Sequence, residues 1–163
     1  MSVSCFSCGT PVPDIDGPVH RYMDSSPGCW ALFGEILARE YSDYAYAAHH
    51  RLSVDAYAVQ HPGKPSPQTI ASVAVHLASL CLALERGAPM DHATRFMQKF
   101  TKHKSMFFWL EPPSHMGPLT VLDVWKAEDA GSHTRAVSEW ASSAWSAWEK
   151  HHDQVRKWID ACT

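Results

Sequence analysis

The segment CFSCG, residues 5–9, places two thiols three positions apart on a turn. Two thiolates at that spacing can hold one side of a tetrahedral zinc, and the glycine gives the backbone room to bend. A structural zinc takes four ligands, so two more are needed. The chain continues Cys5-x2-Cys8-x11-His20-x8-Cys29, which supplies them in one local segment. The second half of this pattern is irregular, so a distant residue such as His50, His151 or His152 is an alternative ligand. Cys29 equally suits a core thiol at a helix start. A redox Cys-x-x-Cys is a further alternative, but that motif normally opens a helix after a strand. Here a loop rich in proline and aspartate follows. The five cysteines are an odd number, unevenly spread, which points to metal or free thiols over a disulfide framework.

A second group of residues could do acid–base chemistry. Asp55 falls among apolar neighbours on a helical stripe, with Leu52, Ala56 and Val59. A buried carboxylate is costly unless it is paired or hydrogen-bonded. His76, on the edge of the next helix's apolar face and flanked by Ser72 and Ser79, is the expected partner. An Asp55–His76 pair would orient the imidazole as a base or metal ligand. Arg39 and Arg51 are alternative partners for Asp55. His61 closes its helix before Pro62-Gly63 and either joins this site or satisfies end carbonyls. His50 and His61 lie eleven residues apart, about 16 Å along a helix axis, so they cannot share one metal.

These residues need elements to position them. Ser25-Ser26-Pro27-Gly28 opens a predicted helix over 29–41, with Trp30, Phe33, Leu37 and Tyr41 on one face. A second helix is predicted over 43–61 and a third over 67–86, capped by Ser66 with Pro67 in its first turn. The short turn between them makes them antiparallel neighbours. A less apolar helix covers 90–104, and 119–125 reads as a short helix or strand. A long last helix covers 132–161, with His133, Val137, Trp140, Ala144, Ala147, His151, Val155 and Trp158 on one face. The fold class is all-α: a bundle of four main helices with a small cysteine-containing N-terminal loop segment. The expected organisation is a single domain, with residues 1–28 as a zinc-binding-like cap and 29–163 as the bundle.

Composition narrows the function classes. Of 163 residues, 45% are hydrophobic and 19% charged, which is globular composition without a disordered tail. The net charge is −3 with both signs interspersed, so no basic stripe suits nucleic acid. No apolar run is expected to reach the roughly 18–20 residues of a membrane span. The start, MSVSCFSCGTPVPD, lacks the regions of a signal peptide. A cytoplasmic protein of bacterial type is the expectation. No nucleophile elbow, P-loop or dinucleotide fingerprint is present. The exposed-looking stretch Met106-Phe107-Phe108-Trp109 is a candidate apolar patch, and tryptophans 140, 145, 148 and 158 are candidate pocket walls. Glu35, Glu40 and Glu85 read as solvated or ion-paired carboxylates.

The strings VDAYAVQHPG, SSPGCWALFGEILAREY, CFSCG…PDIDGPVHRY and EWA…W.AW..HH resemble a bacterial family of uncharacterised proteins. The resemblance covers most of the chain and implies that Cys5, Cys8, His20, Cys29, Asp55, His61 and His76 belong to the family pattern. It implies no activity. A His-rich chain of this length and helix number is also similar to the DinB/YfiT-like metalloproteins. Their bundle holds a divalent metal through one histidine on the second helix and two in His-x3-His spacing on the last. His50 stands where the first would, but His151 and His152 are adjacent, and the triad is left incomplete.

The sequence thus supports a zinc (or other divalent metal) protein that is a metal-dependent hydrolase or transferase acting on a small molecule. Its catalytic candidates are Asp55, His76 and His61. The alternative is a non-catalytic zinc-stabilised interaction or sensor module, and a third reading is a thiol redox protein using Cys5 and Cys8.

Overall fold

Capping chemistry sets where the long helices begin. The computed structural model describes residues 1–163. Helix α3, Pro67–Leu84, starts at Ser66, whose hydroxyl accepts from Thr69 N–H while the Thr69 hydroxyl accepts from Ser66 N–H. Helix α6, Ala130–Ala147, starts with the same reciprocal arrangement between Asp129 and Ser132. Two donors that a helix start would leave bare are satisfied each time. Helix α1, Pro27–Ser42, has no side-chain cap of this kind. The Ser26 hydroxyl instead accepts from Phe6 N–H and so holds the cysteine loop against the helix start.

The architecture is all-α, with seven helices and a single two-stranded hairpin. The N-terminal segment, expected as loop alone, contains that hairpin: β1 (Ser2–Ser4) pairs antiparallel with β2 (Pro11–Pro13), Val3 opposite Val12. Helix α2 is His50–Gln60, α4 is Met90–Phe100, α5 is Val121–Trp125 and α7 is His152–Ala161. Helix α2 runs between α3 and α6, and α3 also packs on α4 and α7. The buried apolar side chains form one continuous cluster, from Val12 in the hairpin to Ile159 in α7.

Two expected helices are divided. The stretch 43–61 begins with a 3-10 segment, Tyr44–His49, because the Asp43 carboxylate accepts from Ala45 N–H and starts a tighter turn. The stretch 132–161 breaks after Ala147. There His152 Nε2 donates to the Trp145 carbonyl, the acceptor that a continuous helix would reserve for Glu149 N–H. The expected face of α1 is also rotated. Its buried residues are Cys29, Leu32, Phe33, Ile36 and Glu40, whereas Tyr41 is 73% exposed. Cys29 and Glu40 are drawn inward by polar partners that spacing alone does not reveal.

Helix α3 corrects one more expectation. With 18 residues and mean hydropathy 1.5, it is long and apolar enough to cross a membrane by length and composition. Half of that window is buried against the rest of the chain, which accounts for its apolarity.

The end of α2 is where the fold is most tightly specified. Gln60 is fully buried, and its amide nitrogen donates to the carbonyls of Met116 and Leu119. Its carbonyl accepts from Trp140 Nε1 at 2.9 Å. One residue earlier, the Val59 carbonyl accepts from Trp148 Nε1. Two tryptophans of α6 and its C-terminal end thus grip the last turn of α2, and the proline-rich loop is tied down beside them. Replacing Gln60 by Leu strands several buried partners, each worth about 1–3 kcal/mol when unsatisfied. Urea unfolding should show a stability loss of about 2–4 kcal/mol with an unchanged denaturant slope.

Candidate metal centre and imidazole groove

Four side chains converge beneath the hairpin. The Sγ atoms of Cys5, Cys8 and Cys29 and a ring nitrogen of His61 all lie within 4.8 Å of one another, and all four residues are buried. Cys8 Sγ is 3.9 Å from Cys29 Sγ, and His61 Nε2 is 3.4 Å from Cys29 Sγ and 3.7 Å from Cys5 Sγ. A tetrahedron with metal–sulfur bonds of about 2.3 Å has edges of about 3.7 Å, so the spacing matches a tetrahedral Cys3His set. His61 Nδ1 donates to the Tyr57 carbonyl at 2.7 Å, which leaves Nε2 as the lone-pair nitrogen aimed at the thiols. The Tyr57 hydroxyl donates to Cys29 Sγ at 3.5 Å, and its ring stacks on His61.

Three distant pieces of chain make this centre. Cys5 and Cys8 lie on the tight turn between the strands, where Cys5 N–H donates to Thr10 O and Gly9 N–H to Cys5 O. Cys29 is in the first turn of α1, and His61 ends α2. Two glycines permit the approach. A Cβ on Gly28 would lie 2.2 Å from the Pro13 carbonyl oxygen, so only glycine lets α1 start against β2. Gly63 has φ +74°, and a Cβ there would lie 2.5 Å from the Tyr22 carbonyl oxygen. The Thr120 hydroxyl, which caps α5, also donates to the Thr10 hydroxyl and anchors the hairpin from its other side.

The thiols share charge. Hydrogen bonds from Cys29 and Cys8 hold Cys5 far below the usual thiol range. The contact with Cys5 pushes Cys29 far above it, helped by Cys8 and by burial. Cys8 is favoured by Cys29 but opposed by Cys5 and burial, and is pushed up to about 12. The three thiols thus compete for protons within one buried cluster. A divalent cation at its centre would displace the remaining protons.

The structure separates the expected ligands. Cys5, Cys8 and Cys29 meet, but His20 is not with them. His20 Nδ1 accepts from Tyr22 N–H and Met23 N–H, and its ring meets Tyr22 and Trp30 edge-on. His61, expected beside Asp55, takes the fourth place instead. Local spacing favoured His20 because it falls between the cysteines, whereas the decisive proximity of His61 arises from the packing of α2 on α1. The alternatives are committed elsewhere: His50 Nδ1 to Glu40, His151 Nε2 to the Glu111 carbonyl and His152 Nε2 to the Trp145 carbonyl. No histidine triad of the DinB/YfiT kind forms.

Asp55 and His76 do meet. His76 Nδ1 is 2.8 Å from Asp55 Oδ1, and the Ser79 hydroxyl donates to Asp55 Oδ2 at 2.5 Å. Asp55 is 3% exposed, so both carboxylate oxygens are satisfied inside the protein. Its alternative partners are engaged elsewhere: Arg39 donates to the Val124 and Trp125 carbonyls, and Arg51 to Thr94. His76 borders a groove of about 570 Å3 between α2, α3 and α4, lined also by Val54, Val75 and Met97. It borders a second groove of about 500 Å3 near Tyr22 and Lys104. No tryptophan lines either groove, so the expected indole walls belong to the core.

A family model described as a family of unknown function (DUF5946) matches residues 3–149. The chain belongs to the DUF5946 family. No curated protein and no solved structure matches it. The matched span includes all four residues of the Cys3His cluster as well as Asp55 and His76.

The two histidines make a direct contrast. Metal measured per chain by elemental mass spectrometry should be retained in His20→Ala and lost in His61→Ala and Cys29→Ser. Equal retention in His20→Ala and His61→Ala would remove His61 from the centre.

Proposed function

We propose that this DUF5946 protein binds one zinc through Cys5, Cys8, Cys29 and His61, and that this centre is structural. The observation that carries the reading is the burial of all four donors around one point, at spacing that suits a tetrahedral ion. Three thiolates and an imidazole favour zinc over the hard cations, which prefer oxygen. Four protein ligands leave no position for substrate, so the metal would supply folding energy and hold the cap (1–28) onto the bundle (29–163) as a single domain.

We propose further that the chemistry, hydrolysis or group transfer on a small molecule, takes place in the groove at His76. Asp55 holds His76 Nδ1–H, so Nε2 is the nitrogen left to take a proton from a nucleophile in the groove. The carboxylate would stabilise the imidazolium formed, and Ser79 keeps that carboxylate in place. His61, held in the thiol centre, takes no part in this step. The alternative, an interaction or sensor module, is favoured by a different observation. Val3, Phe6, Ile15 and Val19 of the cap are exposed apolar side chains.

A panel of small esters, amides and phosphoesters tests the enzyme reading. Turnover by the zinc-loaded protein should fall by about 100-fold or more in His76→Ala, the contribution typical of a general base. Asp55→Asn should lose a comparable factor and shift the pH–rate profile, with metal content unchanged in both. Turnover that survives His76→Ala, or absent turnover with the exposed cap residues needed for partner capture, would favour the interaction module.

A further inference from the structure

The groove at His76 holds a second imidazole of the same build. His50 Nδ1 is 2.8 Å from Glu40 Oε1, and His50 lines the same groove as His76. Glu40 is a fixed base plate for that ring. Its side chain is fully buried, and its other oxygen accepts from the Ser53 hydroxyl at 2.6 Å and from His133 Nε2 at 2.8 Å. Three hydrogen bonds from two helices, α2 and α6, lock the carboxylate, so His50 Nδ1 is held and Nε2 is the free nitrogen. Two carboxylate-backed imidazoles therefore face one groove.

Arg51 lies beside His50 and lines the groove too. Its guanidinium donates to Thr94 Oγ1 at 3.1 Å across the mouth and has no carboxylate partner. The acid that lines the groove is Asp55, and both its oxygens are already engaged. The remaining polar lining, Thr94, Gln98 and Thr101, is neutral, while Val54, Val75 and Met97 supply apolar wall. The carboxylates of Asp55 and Glu40 keep their charge but are buried and turned to imidazole and hydroxyl donors, so the charge without a partner at the groove is that of Arg51. Such a lining favours an anion with an apolar body.

We propose that the His50–Arg51 end of this groove is an anion subsite, and that its ligand is a small amphipathic organic anion. The assignment rests on the reading of His76 as the reacting end only for its consequence for substrate. His50 precedes Asp55 by five residues, about 7.5 Å along the helix axis. The anionic group would be anchored by Arg51 and by His50 with a proton taken up on Nε2, an imidazolium that Glu40 would stabilise from behind, and the susceptible bond would lie roughly that distance away at His76. A charge fixed at one end would set the substrate's register in the groove.

The test follows the imidazole Cε1–H resonances by NMR, assigned with His50→Gln and His76→Gln, during titration with phenyl phosphate, benzoate and neutral benzyl alcohol. The expected result is saturable movement of the His50 resonance with an anion and none with benzyl alcohol at equal concentration. Phenyl phosphate acting alone would identify a phosphate ligand, and benzoate acting alone a carboxylate. Arg51→Gln should weaken the response about tenfold, a loss of roughly 1.4 kcal/mol, with partial recovery in Arg51→Lys. The Trp140 Nε1–H resonance, whose bond to Gln60 lies outside the groove lining, would report an intact fold when unchanged across variants. No movement of His50, equal movement with benzyl alcohol, or full affinity in Arg51→Gln would each overturn the subsite. If anions move His50 but turnover survives His76→Ala, the subsite stands and the catalytic reading falls. If neutral substrates turn over through His76 while no anion moves His50, the opposite holds.

Discussion

The last turn of α2 ends inside the protein, and most of the structure follows from making that tolerable. A helix terminus carries bare carbonyls and here also polar side chains, and burying them without partners costs more than the fold can supply. Each is met by a different element. Trp148 takes the Val59 carbonyl, Trp140 and the 116–119 loop take Gln60, and His61 caps Tyr57 with Nδ1 while turning Nε2 to three thiols. The hairpin, the start of α1 and the proline-rich loop are thus assembled around one point. A cation there would convert a set of competing thiols into a cross-link between the cap and the bundle.

The same physics recurs at the groove with a different outcome. Asp55 and Glu40 are buried carboxylates, and both are satisfied by hydrogen bonds to imidazole and hydroxyl groups with no Lys or Arg ion pair. A carboxylate fixed behind an imidazole determines which ring nitrogen is free. It does so at His50 and at His76, on adjacent helices that border one groove. The four donors of the Cys3His cluster are buried, while His50 and His76 border an open groove.

Much of the local structure was legible in the chain. The Ser66-Pro67 start, the Gly-containing stop after His61, and the Cys-x-x-Cys-Gly turn each carry their own instructions, because caps and turns depend on neighbours within a few residues. The Asp55–His76 pair was also readable, since an acid on an apolar stripe requires a partner and a short turn nominates the next helix. Glu40 reads as a solvated or ion-paired carboxylate, and its burial is not apparent although it continues the spacing of Phe33 and Ile36. The exposed Tyr41 and half-buried Trp30 had suggested a different face. The division of the last helix was illegible too, because a histidine side chain competing for one carbonyl leaves no trace in apolar periodicity.

The sequence by itself determined that the protein is helical, that its first thirty residues offer thiols for a metal, and that at least one buried acid needs an imidazole. These follow from short-range stereochemistry and from the cost of burying charge. Only the tertiary structure decided that His61, and not His20, completes the Cys3His set, and that His50 faces the same groove as His76. Both outcomes depend on which faces of α1, α2 and α3 meet. That contact is selected by the summed packing of the core, in which residues 56 positions apart in the chain, such as Cys5 and His61, become neighbours.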